Sequence, residues 1–158
     1  MEKIFVTQSG YEALLKRKDE LVSDLRVSQF NKGRAAAGDS NSWHDNAEYD
    51  VHARNELMLA EHVAEIISQL EKVSIVQPPT HNETVAVGHV VTLQTKEGEI
   101  KIYKVGGYGE TDLLASPKKL SYDAPILREF FGKSVGYISI VKTGDKINEL
   151  SLLEISLG

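Results

Sequence analysis

Apolar residues in the first part of the chain recur at helical spacing. Tyr11, Leu14, Leu15, Leu21, Val22 and Leu25 form a stripe broken once at Lys18. Thr7 and Ser9 are candidate caps before it, and the pattern continues through "NKGRAAA" to a stop at Gly38, weakened on the way by Gly33. A second helix is predicted from about Asp45 to Val73. There Leu59, Val63, Ile66, Leu70 and Val73 alternate in steps of four and three, with Ala60, Ala64 and Ile67 widening the same face. Two such helices joined by a short loop lie antiparallel. At 1.5 Å per residue the second is roughly 40 Å long, so the loop stands away from any globular body unless the helices fold back onto one.

"VQPPTHNET" ends this region, because Pro78 and Pro79 cannot continue a helix, and the polar residues after them read as a linker. The period then falls to two. "TVAVGHVVTLQT", "EIKIYKV", "VGYISIVKT" and "INELSLLEIS" read as strands, with "KEG" and "TGDK" as turns, and "APILREFFGK" as a short amphipathic helix closed by Gly132. The predicted fold class is α+β. An N-terminal antiparallel two-helix coiled-coil hairpin, residues 1–76 with its tip at 38–49, precedes a small antiparallel sheet domain with one short helix, residues 77–158.

Composition changes this picture little: 41% hydrophobic and 26% charged residues describe a globular protein. No apolar run approaches the ~20 residues of a membrane span, and the N-terminus lacks a signal-peptide core. With no cysteine there is no disulfide, zinc knuckle or thiol nucleophile. A cytoplasmic protein without membrane contact is expected. The net charge of −5 argues against general duplex binding. Its distribution is uneven: Arg26, Lys32 and Arg34 lie late in the first helix, whereas from Asp39 to Glu71 eight acids face Arg54 alone.

The tip, "GDSNSWHDNAEYD", concentrates the candidate chemistry. Ser42 and Asp45 have capping-box spacing, and Asp39 beside Gly38 suits a turn, so each acid has a structural reading. Together they permit another. Trp43 is hard to bury at the end of a two-helix hairpin, and clustered carboxylates repel unless a cation joins them. Magnesium takes one or two carboxylates and leaves its other positions to water and phosphate. Such a tip is an incomplete metal site that another molecule's active centre could complete. His44, His52 and His62 form no zinc set. "KVGGYGETD" is Gly-rich but lacks the spacing and the following helix of a phosphate loop, and reads as a turn or bulge.

Three stretches together resemble the bacterial transcript cleavage factors of the GreA/GreB family across essentially the whole chain. They are the start "VTQSGYEALLKRKDEL", the tip "DNAEY", and the C-terminal run from "VAVGHVVTL" through "YKVGGYGETD" to "LSYDAPILREFFGKSVGYISIV". The resemblance implies an FKBP-like C-terminal domain that docks on RNA polymerase, while the hairpin enters the secondary channel. Asp45 then takes the place of the family's tip glutamate, before Asn46, Ala47, Glu48 and Tyr49. The family's aspartate three residues earlier is here Ser42; "SNSWH" holds about three extra residues, so the second carboxylate either comes from Asp39 in the longer loop or is lost.

On this reading Asp39 and Asp45 are the catalytic pair and help hold a Mg2+ shared with the polymerase active centre. Trp43, His44, Asn46, Glu48 and Tyr49 touch the channel or the nascent RNA 3′ end, and Arg26, Lys32 and Arg34 steer RNA. The protein stimulates the polymerase's own endonucleolytic activity, is no free-standing enzyme, and is expected to be a monomer. One alternative is a channel binder that modulates transcription without cleavage. Another is a coiled-coil adaptor unrelated to transcription.

Overall fold

The computed structural model describes residues 2–36 and 43–158, and of residues 32, 34–36 and 43–46 the backbone alone. Two long helices, α1 (Gln8–Ala36) and α2 (Trp43–Lys72), form where the apolar stripes predict them. At 29 and 30 residues they are about 43 and 45 Å long. Along α1 the seam runs through Leu14, Lys18, Leu21, Leu25 and Ser28 in steps of four and three. Leu21 and Ile66 are its most buried apolar members, 4% and 5% exposed. The Ser28 hydroxyl, also buried, donates to the His52 carbonyl at 3.4 Å, which fixes the antiparallel register. Lys18, the apparent break in the stripe, lies in the seam with its amine 3.3 Å from Asp19, so its alkyl stem takes the place of an apolar side chain. Ala64 and Ile67 are exposed rather than part of the buried face, because a contact between only two helices covers a narrow stripe.

The chain divides into two compact units, residues 12–72 and residues 1–11 with 73–158. This differs from the expected boundary at 76/77, and the reason is a strand pair invisible to local patterning. β1 (Ile4–Val6) and β2 (Val73–Ile75) run parallel, with Ile4 opposite Val73. The main sheet contains β3 (His89–Thr95), β4 (Ile100–Gly106), β5 (Lys118–Ser121), β6 (Ile138–Thr143) and β7 (Lys146–Leu157), in the order β5-β4-β3-β7-β6. Every pairing is antiparallel except β4 with β5. The short β5 falls outside the four expected strands, and α3 (Pro125–Arg128) is a single turn of the longer helix expected there.

Val91, Leu93, Val105, Leu150, Leu152 and Ile155 point inward and pack with Leu127 and Phe130. The inward phase of β7 changes from Leu152 to Ile155 because a bulge leaves Leu153 without a cross-strand partner. The predicted linker after Pro79 is not free either. Val85, in the run expected as a strand that forms only from His89, is buried and exchanges backbone hydrogen bonds with Gly132 and Lys133. Asn82 donates to the Ile155 carbonyl. His89, 1% exposed, accepts from the Ala86 N–H at Nδ1, which leaves Nε2–H to donate to the His81 carbonyl.

The Gly-rich loop after β4 holds the chain's own N-terminus. Tyr108 N–H donates to the Phe5 carbonyl, and a Cβ on Gly107 would lie 2.9 Å from Val6 Cα. Glu110, its side chain 10% exposed, sits beneath the first turn of α1. Its carboxylate accepts from the Thr7 N–H at 3.1 Å and the Thr7 hydroxyl at 2.5 Å, with Lys119 at 3.5 Å. Thr7 in turn caps the helix, its Oγ1 accepting from Gly10 N–H. A capping box would place this acid three residues after the cap. Gly10 stands there instead, and an acid 103 residues away occupies the space.

Candidate functional site at the hairpin tip

α2 begins at Trp43, so "DNAEY" occupies its first two turns. Helical spacing puts Asp45, Glu48, Tyr49 and His52 on one side of α2. This end of the helix carries the positive end of its dipole. Ala47, Glu48, Tyr49 and Asp50 are all exposed, Tyr49 by 38%. Glu48 Oε1 lies 3.6 Å from His52 Nε2, an i,i+4 pair that is ionic only when the imidazole is protonated. The His52 side chain is 23% exposed and so partly covered.

Of the other predicted site residues, Asp39 lies outside the described residues, as does Ser42. Trp43, His44, Asp45 and Asn46 are placed in the first turn of α2 by backbone, and their side chains lie outside what is described. Lys32 and Arg34 belong to the last two turns of α1 in the same sense, whereas Arg26 is exposed on that helix. Among the described residues no group of three His, Asp or Glu side chains could hold a metal ion.

Sequence reasoning missed Phe30. It is 66% exposed on α1, off the seam and near the distal end. The available signal was phase, since Phe30 follows the seam residue Ser28 by two positions and falls nearly opposite it. No helix among the described residues is long and apolar enough to cross a membrane.

The chain is similar to curated proteins over nearly its whole length. It is 26% identical to the transcription elongation factor GreA of Thermotoga neapolitana, covering 99% of both chains. It is 33% identical over 136 residues to the transcription elongation factor GreB of Pasteurella multocida, covering 83% of this chain and 82% of that one. Among solved structures, GreA factor homolog 1 (Gfh1) of Thermus thermophilus matches 98% of this chain and 99% of its own, with a TM-score of 0.46 and 19% identity. No family model matches the chain.

Proposed function

The chain belongs to the GreA/GreB family of transcription elongation factors, and from that premise we propose that it binds bacterial RNA polymerase and stimulates cleavage of backtracked RNA. The observation that carries this reading is "DNAEY" in the opening turns of α2, at the end of a hairpin about 43 Å long. In this reading residues 77–158 dock on the polymerase and the hairpin enters its secondary channel. Asp45, with Asp39, presents carboxylates to the catalytic centre and the transcript 3′ end. Trp43, His44, Asn46, Glu48 and Tyr49 meet the channel or the RNA, and Arg26, Lys32 and Arg34 attract it. Asp45 and Asp39 would help hold a magnesium ion there, which would supply activation of water and charge neutralisation at the cleaved phosphate. The chain's own part is to position the acids. It contributes no complete site and acts as a factor, not as a free-standing enzyme.

The test is a backtracked elongation complex given the protein and magnesium. Short 3′ fragments should appear, and Asp45→Ala should slow their release by about two orders of magnitude, the scale of losing a preorganised charge at a reacting centre. Asp39→Ala should do the same.

One observation favours a second reading. The family's aspartate position is Ser42, inside a loop about three residues longer. A chain that occupies the channel without promoting cleavage would bind the complex and release no fragment. Failure to associate with polymerase at all would leave a coiled-coil adaptor.

A further inference from the structure

The main sheet ends on two unequal edges. β5 is four residues long and carries Lys118 and Lys119, charges of the kind that keep an edge from pairing. β6 has six residues, no proline, and a register with β7 that runs without a shift. Its one charge is Lys142, next to its last residue. The turn at Gly144 and Asp145 makes Thr143 and Lys146 partners, so Thr143, Val141 and Ser139 exchange backbone hydrogen bonds with β7. The N–H and C=O groups of Ile138, Ile140 and Lys142 therefore point to the open side. No backbone hydrogen bond joins them to another element among the described residues.

The side chains of the same three residues lie on the outward face, opposite the buried Val141, and Ile138 and Ile140 are 56% and 68% exposed. A solvated sheet face normally carries polar residues, yet isoleucine fills two of the three outward positions on this edge. Such an edge offers a foreign partner little charge to recognise. To its own copy it offers a match. The three free residues are spaced evenly about Ile140, so a two-fold axis there sets Ile140 opposite Ile140 of the second copy and Ile138 opposite Lys142, in both directions. Every free N–H and C=O of the edge then has a partner. Lys142 also selects the orientation. The two lysine positions stand about 14 Å apart along such a pair, beyond the roughly 10 Å over which salt screens exposed charges. In a parallel stack of copies they would lie about 5 Å apart in every layer. The edge thus resists growth into a fibre and permits closure into a dimer.

We propose that β6 is the interface of a two-fold dimer of this chain, its strands paired antiparallel about Ile140 so that two five-stranded sheets become one. An edge contact with so few side chains is smaller than a standard interface, so the dimer is weak and concentration-dependent. The dimer goes beyond the proposed function and does not rest on it. It departs from the monomer that the family resemblance implies.

The experiment is analytical ultracentrifugation of the full chain from micromolar to millimolar concentration, where the mean mass should rise toward that of a dimer. Ile140→Lys sets two like charges opposite each other and should weaken association roughly tenfold or more. Ile140→Pro removes an N–H that β7 does not use, so circular dichroism should report an intact fold while the dimer is lost. If the proline variant unfolds, the lysine variant decides. The chain has no cysteine, so a single one can be read directly. In Ile140→Cys the two Cα atoms would lie about 5.5 Å apart, within reach of a disulfide. Mild oxidation should give a covalent dimer that Leu114→Cys, 98% exposed and away from the edge, does not form. A monomer mass at every concentration overturns the proposal. So does a dimer that Ile140→Lys leaves intact, or equal cross-linking at positions 140 and 114. Ile140→Lys weakening the binding of polymerase, in a free chain that is monomeric throughout, would give the edge to a different partner and also overturns the dimer.

Discussion

Glu110 shows how much one side chain can decide. Its carboxylate does for α1 what a capping-box acid would do, but from the far end of the sequence. Glu110→Ala removes two bonds to Thr7 and leaves Lys119 without its partner, and should destabilise the protein by about 1–3 kcal/mol in urea unfolding. Gly10→Ala separates two effects of opposite sign. Helix propensity alone predicts a gain of about 1 kcal/mol. The new Cβ, however, would stand 2.7 Å from the Glu110 carboxyl carbon and displace a held, mostly buried group, so a net loss is expected. In a Glu110→Ala background the same substitution should turn neutral or stabilising, a coupling that a double-mutant cycle reads directly. Tyr122 gives a pH signature. Burial first, and the charges of Asp123 and Glu2, push its phenol above the ordinary 10.0, against the lowering effect of the Phe5 N–H bond. A raised folded pKa means stability that is full below about pH 10 and lost as pH rises through the folded value. Unfolding free energy should fall in that window, and less steeply in Tyr122→Phe.

At the scale of elements, periodicity located both long helices within a few residues but overstated the width of their seam. Ile66→Ala should cost about 2–4 kcal/mol, because the side chain is buried against α1. Ile67→Ala, next to it and 42% exposed, should cost well under 1 kcal/mol, although the apolar pattern counts both alike. Thermal denaturation of the two variants distinguishes them. Strands were legible as period-two runs, yet their buried phase was not. In "YISIVKT" it is Val141 that enters the core, while Ile138 and Ile140 face out at 56% and 68% exposure. Along β7 the bulge at Leu153 resets the phase in mid-strand. Both choices follow from which neighbours pair, and that information lies outside each segment.

At the scale of the whole molecule, the proposed function rests on the tip, where the chain keeps "DNAEY" and has Ser42 at the position of the family's preceding aspartate. If Asp39 supplies the second carboxylate from the longer loop, Ser42→Asp should restore transcript cleavage to Asp39→Ala, and fragment release from a backtracked complex measures it. No recovery would mean that loop length, not only charge, governs the site. Local patterning by itself determined the hairpin and the sheet-rich second half, and three contiguous stretches, "DNAEY" among them, pointed to the family, because each is written in short-range spacing or a contiguous motif. Tertiary structure alone decided that residues 1–11 belong with the C-terminal unit and that the Gly-rich loop cradles β1. It also decided that Glu110 caps a helix 103 residues away and that Phe30 stands uncovered. The physical reason is common to all four. Burial and hydrogen-bond satisfaction are properties of neighbours in space, and here those neighbours come from opposite ends of the chain or, for Phe30, from a second helix that turns its contact the other way.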